Sequence, residues 1–172
     1  MRLIGLAGRA RVGKTTLAEM IRDECRKHGY PCEIVPFAAP VKGIAYQMGW
    51  DGAKDAKGRR LLQLLGTDAG RRCIHPDIWV RHWQTSVESR ELPANAVVIA
   101  DDVRFANERD TIIDMGGKVY LIERYQRGDW WRGWFRSFGH ASERPPACAR
   151  RVVNNWGIPE LRMCAERLVD CL

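Results

Sequence analysis

Eight residues near the start of the chain, Gly8-Arg9-Ala10-Arg11-Val12-Gly13-Lys14-Thr15, have the types and spacing of a phosphate cradle, G-x-x-x-x-G-K-[ST]. The two glycines let the backbone curl until successive N–H groups point inward. The first turn of the helix that follows adds its own unpaired amides and the positive end of its dipole. Lys14 supplies a mobile positive charge for the β- and γ-phosphates of a nucleoside triphosphate. Thr15 offers a hydroxyl to Mg²⁺, and Thr16 can donate to a phosphate oxygen. Such a loop needs a carboxylate nearby for its metal. The run Val97-Val98-Ile99-Ala100, followed by Asp101-Asp102, would carry one at the C-terminal end of a neighbouring strand. Adjacent residues of a regular strand point to opposite faces, so one of the two aspartates takes that role.

The flanks of these groups set the expected fold. Residues 2–7 (RLIGLA) predict a short buried strand, and Thr15 to His28 a helix with Leu17, Met20, Ile21 and Cys25 on one face and Gly29 beyond its end. Residues 32–37 predict a second strand, 40–48 a helix opened by Pro40, and 59–65 a helix closed by Gly66. A helix follows His75-Pro76, with Trp79, Trp83 and Val87 repeating at four. Residues 96–100 and 118–123 read as buried strands, 105–115 as a helix, 151–154 as a last short strand and 159–172 as a closing helix. Strands alternating with helices predict an α/β fold: the three-layer P-loop NTPase fold, a mostly parallel five-stranded sheet flanked by helices.

The chain has 172 residues, which predicts one domain. Apolar residues are 45% and charged residues 28%, which excludes wholesale disorder. No apolar run approaches the roughly 18 residues of a membrane span, and the N-terminal residues lack the pattern of a secretory signal, so a cytoplasmic location with no membrane partner is expected. The six cysteines form no C-x-x-C pair and predict reduced thiols. Net charge is +7, and all but six of the 28 basic residues are arginine. Arginine grips phosphate bidentately, so the bias suits an anionic partner.

Beyond the loop, several short motifs occur in one order. They are Phe37-Ala38-Ala39-Pro40-Val41-Lys42, the span Leu62 to Arg71 with the spacing Q-x-x-G-T-x-x-x-R, Asp77-Ile78-Trp79, Asp102-Val103-Arg104-Phe105-Ala106-Asn107-Glu108, His140-Ala141-Ser142-Glu143, and Asn154 or Asn155. Together they resemble the phage-type deoxynucleoside monophosphate kinases of the P-loop nucleoside monophosphate kinase group. The sequence departs from some of those relatives in having Thr15 where they carry an acidic residue after the lysine.

The resemblance implies transfer of the γ-phosphoryl group of ATP to a deoxynucleoside monophosphate, with Mg²⁺, by positioning and electrostatic stabilisation without a covalent intermediate. Under it, Lys14, Asp102, Arg104 and Arg124 are the expected catalytic residues, and Thr15 and Asp102 the metal pair. ATP would lie on Gly8, Arg9, Ala10, Arg11, Val12, Gly13, Lys14, Thr15 and Thr16. Phe37, Lys42, Arg60, Gln63, Thr67, Arg71, Trp79, Arg104, Glu108 and His140 would line the acceptor side. Two of these have plainer readings. Trp79 also fits a helical core position, and Arg104 could pair with Glu108 four residues on.

Residues 124–151 contain seven arginines and interleaved Trp130, Trp131 and Trp134. They read as a lid over the phosphates, with Arg124 foremost; a strip for single-stranded nucleic acid or a solvated cover over the core would have the same composition. Two rival functions follow: another P-loop small-molecule kinase, acting on a ribonucleotide or coenzyme precursor, and a nucleic-acid-associated NTPase. The chain length argues against the second, since little remains for coupling elements. The sequence leaves a homodimer open.

Overall fold

The computed structural model describes residues 1–53, 55–124, 146–148, 150–155 and 157–172. His140 and most of the expected lid lie outside the described residues. The chain forms two compact units, one of residues 1–34 with 92–172, the other of residues 35–91.

The first unit is built on five parallel strands: β1 (Arg2–Ala7), β2 (Cys32–Ile34), β3 (Val97–Val103), β4 (Lys118–Glu123) and β5 (Arg150–Val153), in the spatial order β2-β3-β1-β4-β5. Parallel strands covered on both faces read as unbroken apolar runs. Accordingly β1 is buried from Leu3 to Ala7, and β3 from Val97 to Ala100. Among the described residues this unit holds the helices α1 (Lys14–Lys27), α5 (Ala106–Asp114) and α6 (Ile158–Asp170). On α1, Leu17, Ile21 and Cys25 recur every four residues and are buried; Leu161, Ala165 and Val169 do the same on α6. Both stripes share one core with Ile4, Leu6, Val97, Ile99, Ile122 and Val152.

The second unit holds α2 (Ala39–Gln47), α3 (Ala56–Gln63) and α4 (Ile78–Glu88). Asp55 caps α3 by accepting from the Gly58 amide at 2.7 Å. Trp83 stacks on Phe37 with centroids 4.6 Å apart and donates its Nε1–H to the Val35 carbonyl at 2.7 Å.

The structure corrects the sequence reading in several places. The expected five-stranded sheet is present and its described strands are all parallel; the differences are local. The second strand ends at Ile34, ahead of Pro36, which has no N–H for a ladder. Gly66 does not close a helix. The chain passes from α3 into a π-helical stretch, Leu64–Ile74, whose wider turns pair the His75 amide with the Gly70 carbonyl at 3.0 Å. Strand β3 continues through Asp101 and Asp102 to Val103. The last two residues of the expected lid, Arg150 and Arg151, are the first two of β5.

Candidate active site

Between β1 and α1 the backbone makes the turn that its glycines allow. Gly8 has φ +145°, Arg11 +67° and Gly13 +102°. A Cβ on Gly8 would come within 2.5 Å of the Ile122 carbonyl, so the loop sits directly against the end of β4. Helix α1 starts at Lys14 with Gly13 as its N-cap. It has no side-chain cap and no acidic residue of its own in its first turn, so its first amides are left without a partner from the helix itself.

Lys14 bends back over this loop. Its Nζ donates to the carbonyls of Gly8 and Arg9, at 2.8 Å each. Burial is the main force lowering its pKa, to about 8 from an ordinary 10.5. The nearby Arg104 guanidinium lowers it further, against the opposing pull of Asp101 and Asp102. Both aspartates and Arg104 therefore act on the ammonium that the sequence assigned to the phosphates.

The carboxylate set against Thr15 is that of Asp101. The Thr15 hydroxyl donates to Asp101 Oδ2 at 2.8 Å. The sequence reading had paired Thr15 with Asp102, and the reason for the difference lies in the strand register. Gly5 pairs with Ala100 but Ala7 pairs with Val103, so Leu6 alone on β1 faces both aspartates on β3. This is a β-bulge, and it breaks the alternation by which one aspartate was to be chosen. A hydroxyl and a carboxylate are hard oxygen donors and suit Mg²⁺. Among the described residues no group of three or more His, Cys, Asp or Glu is arranged for a metal. That fits an ion held largely by substrate phosphates rather than by a protein cage.

Glu108, expected on the acceptor side, is buried at the start of α5. Its Oε2 accepts from the backbone amides of Arg104 and Phe105, at 2.7 and 3.1 Å. It closes the N-terminus of α5 and fixes the backbone of Arg104, whose side chain is exposed. The Arg104–Glu108 relation foreseen as a surface ion pair is thus made through the Arg104 main chain.

A cleft of about 430 Å³ adjoins the loop. Lys14, Thr15, Thr16 and Arg124 line it, together with Asn154 and Leu161. Arg124, exposed at the end of β4, therefore opens onto the same hollow as the loop.

The remaining expected residues lie in the second unit. Arg60 is exposed; Lys42, Gln63 and Arg71 are half-buried. Arg71 Nη1 donates to the Pro76 carbonyl at 2.7 Å. Thr67 is buried in the π-helical stretch. Two placements correct the sequence reading. Phe37 is 2% exposed with its ring against Trp83. Trp79 is 5% exposed; its Nε1 donates to the Gly66 carbonyl at 2.7 Å, and its ring packs so closely on Gly70 that a Cβ there would lie 2.5 Å from it. Both aromatic rings fill the interior of this unit, where a stacking base has no access.

The sequence reading assigned no role to Asn154 or to the Ile122 carbonyl, both of which touch the loop. Asn154 Nδ2 donates to the Val12 carbonyl at 2.8 Å across 142 residues of sequence. No local spacing could have announced that contact.

No family model matches the chain. A protein of Acanthamoeba polyphaga mimivirus named "Putative deoxynucleotide monophosphate kinase" is 29% identical over 151 residues, covering 72% of this chain and 75% of that protein. Among solved structures, one described as a "putative kinase" from Chloroflexus aurantiacus superposes with a TM-score of 0.56 at 12% identity, covering 99% of this chain and 94% of that one. The Mycobacterium tuberculosis APS kinase CysC in complex with AMPPNP and APS superposes with a TM-score of 0.52 at 12% identity, covering 98% of this chain and 95% of that one.

Proposed function

We propose that the chain transfers the γ-phosphoryl group of ATP to the phosphate of a deoxynucleoside monophosphate, giving ADP and the deoxynucleoside diphosphate. Its three-layer α/β fold, that of P-loop kinases, and its likeness to a viral protein named as a nucleotide kinase support a phosphotransferase. One observation carries this reading: an uncapped helix N-terminus, a half-buried lysine and a threonine–carboxylate pair meet at the turn between β1 and α1. That set suits a polyphosphate and its cation, and holds no nucleophile for a covalent intermediate.

In this reading the loop amides of residues 8–16 and Lys14 bind the donor phosphates. Arg124 borders the same cleft and neutralises the donor from the other side. Thr15 and Asp101 would hold Mg²⁺ together with the phosphates, and the ion would there supply positive charge to the transferring group. Arg104 binds the acceptor phosphate, with its backbone steadied by Glu108. An acceptor oxygen forms its bond to the γ-phosphorus as the bond to the β-bridging oxygen breaks. The acceptor phosphate is ionised at neutral pH, so no general base is required. Catalysis is then alignment plus charge placed where the transition state develops it. Of the second unit's residues, Lys42, Arg60, Gln63, Thr67 and Arg71 are the acceptor-binding candidates. We take the protein to act in the cytoplasm as a single functional domain on small molecules; among the described residues no helix is long and apolar enough to cross a membrane.

The test is an ADP-release assay with ATP and Mg²⁺ across the four deoxynucleoside monophosphates and their ribo counterparts. Turnover is expected with at least one deoxynucleotide. Turnover with none of the eight, or turnover stimulated only by single-stranded DNA, would overturn the assignment.

A further inference from the structure

Asn154 lies just past β5, 3% exposed. Its amide N–H donates to the Glu123 carbonyl at 2.7 Å, tying it to the end of β4. Its side-chain Nδ2 donates to the Val12 carbonyl at 2.8 Å. Its Oδ1 is buried with no hydrogen-bond partner. A buried, unpaired acceptor carries an uncompensated desolvation cost, and an apolar side chain of the same shape would avoid it. What Asn154 offers in return is its donor on the phosphate loop.

That donor has a directional consequence. The carbonyl of Val12 and the N–H of Gly13 belong to one peptide plane. Among the described residues no peptide is cis, so the two groups point in opposite directions. Fixing the carbonyl toward Asn154 turns the Gly13 N–H away from it. The contact is close, since a Cβ on Gly13 would lie 2.8 Å from Asn154 Nδ2. Gly13 at φ +102° has the freedom to let this peptide flip, so something outside the loop must choose its orientation. Lys14 holds the opposite end of the loop, at the Gly8 and Arg9 carbonyls.

We propose that Asn154 is a positioning residue: by holding the Val12 carbonyl it aims the Gly13 amide at the donor's phosphate chain. This rests on the proposed binding of a triphosphate in the loop and is independent of the acceptor's identity. The arrangement prepares an anion site in the free protein, where the orienting cost is met before ligand arrives.

Binding of ATP and of inorganic tripolyphosphate, without Mg²⁺, to wild type, Asn154→Leu and Asn154→Ser tests it by calorimetry. Leucine keeps the shape and removes the donor. Serine is the second variant in case leucine does not fold. Both ligands should weaken by the same factor, on the order of tenfold or more, with the acceptor KM unchanged. Unchanged tripolyphosphate affinity overturns the proposal, and an accompanying loss of ATP affinity would instead assign Asn154 to the nucleoside. Loss of cooperative unfolding in both variants would make it a fold residue and equally overturn it. If wild type bound neither probe, the kinase reading would fall and this inference with it.

Discussion

Lys14 links electrostatics to ligand binding in a measurable way. In the free protein its pKa is lowered to about 8, first by burial, then by Arg104. A triphosphate placed against the ammonium restores the missing counter-charge and raises that pKa again. Binding therefore takes up a proton wherever the pH lies between the two values. Below about pH 8 Lys14 is charged in both states and affinity is flat; above it, affinity falls by up to tenfold per pH unit. Between pH 7 and pH 9 the loss is about tenfold for a pKa of about 8. The ligand's phosphates already carry their charge there, their second pKa being about 6. Calorimetry with ATP in the absence of Mg²⁺, in buffers of different ionisation enthalpy, reads both the affinity and the proton uptake. The Lys14→Met variant should bind weakly at every pH with no inflection. An affinity independent of pH from 7 to 9.5, or the same slope in Lys14→Met, would refute the reasoning.

The same shift bears on stability, with its sign fixed by linkage. Lys14 is charged in both folded and unfolded chains at pH 7, so the fold carries the full cost of the buried charge. That cost is relieved as pH rises from about 8 to the unfolded value of 10.5. The 2.5-unit difference (10.5 less about 8) corresponds to about 3 kcal/mol, and two lost hydrogen bonds at about 1 kcal/mol each offset most of it. Lys14→Met should therefore leave the unliganded protein as stable as wild type, or about 1 kcal/mol more so, while abolishing turnover.

Three further outcomes follow from the geometry. Asp101→Asn should raise the Mg²⁺ concentration needed for half-maximal activity by roughly 10–100-fold, and more than Asp102→Asn does; the reverse ranking in a Mg²⁺ titration would return the metal role to Asp102. Arg104→Ala should raise the acceptor KM by at least about tenfold and, because Arg104 helps lower the Lys14 pKa, move the inflection of ATP binding to higher pH. Unchanged acceptor kinetics and an unmoved inflection would reject its placement. Gly8→Ala should destabilise by about 2 kcal/mol, from its φ of +145° and a Cβ driven to 2.5 Å from the Ile122 carbonyl. Thermal unfolding would report this as a fall of roughly 4–8 °C, and an unchanged midpoint would show that the loop stands clear of β4.

What the sequence made legible was local. The spacing of Gly8, Gly13, Lys14 and Thr15 declares a phosphate loop because each requirement is met within one turn of chain. The apolar runs of β1, β3 and β4 declare buried parallel strands because both faces are covered. The contact of Thr15 with Asp101 was not legible because a bulge is a property of two strands in register, and alternation along one strand carries no trace of it. Gly66 looked like a helix stop because glycine most often ends helices, whereas here it lies within a π-helical stretch and accepts the Trp79 indole N–H. Phe37 and Trp79 were placed on the acceptor side because aromatic type does not distinguish a ligand's face from the interior of the unit, and for Trp79 it is the core reading that the burial fits.

The loop's constraints converge on one physical requirement. A chain segment with three residues at positive φ has little reason of its own to hold its amides inward when no anion is present. In this protein each stretch is tied to something outside itself. Gly8 abuts the end of β4, its carbonyl and that of Arg9 accept from Lys14, Val12 accepts from Asn154, and Thr15 is joined to β3 through Asp101. The ties reach β3, β4 and the residue after β5, three strands whose C-terminal ends lie at one edge of a parallel sheet. An anion site at that edge is therefore a consequence of strand direction. Reversing one strand would carry its end, and the tie it supplies, to the far side of the sheet. Removing one of the side-chain ties, as at Asn154, should therefore act first on donor affinity.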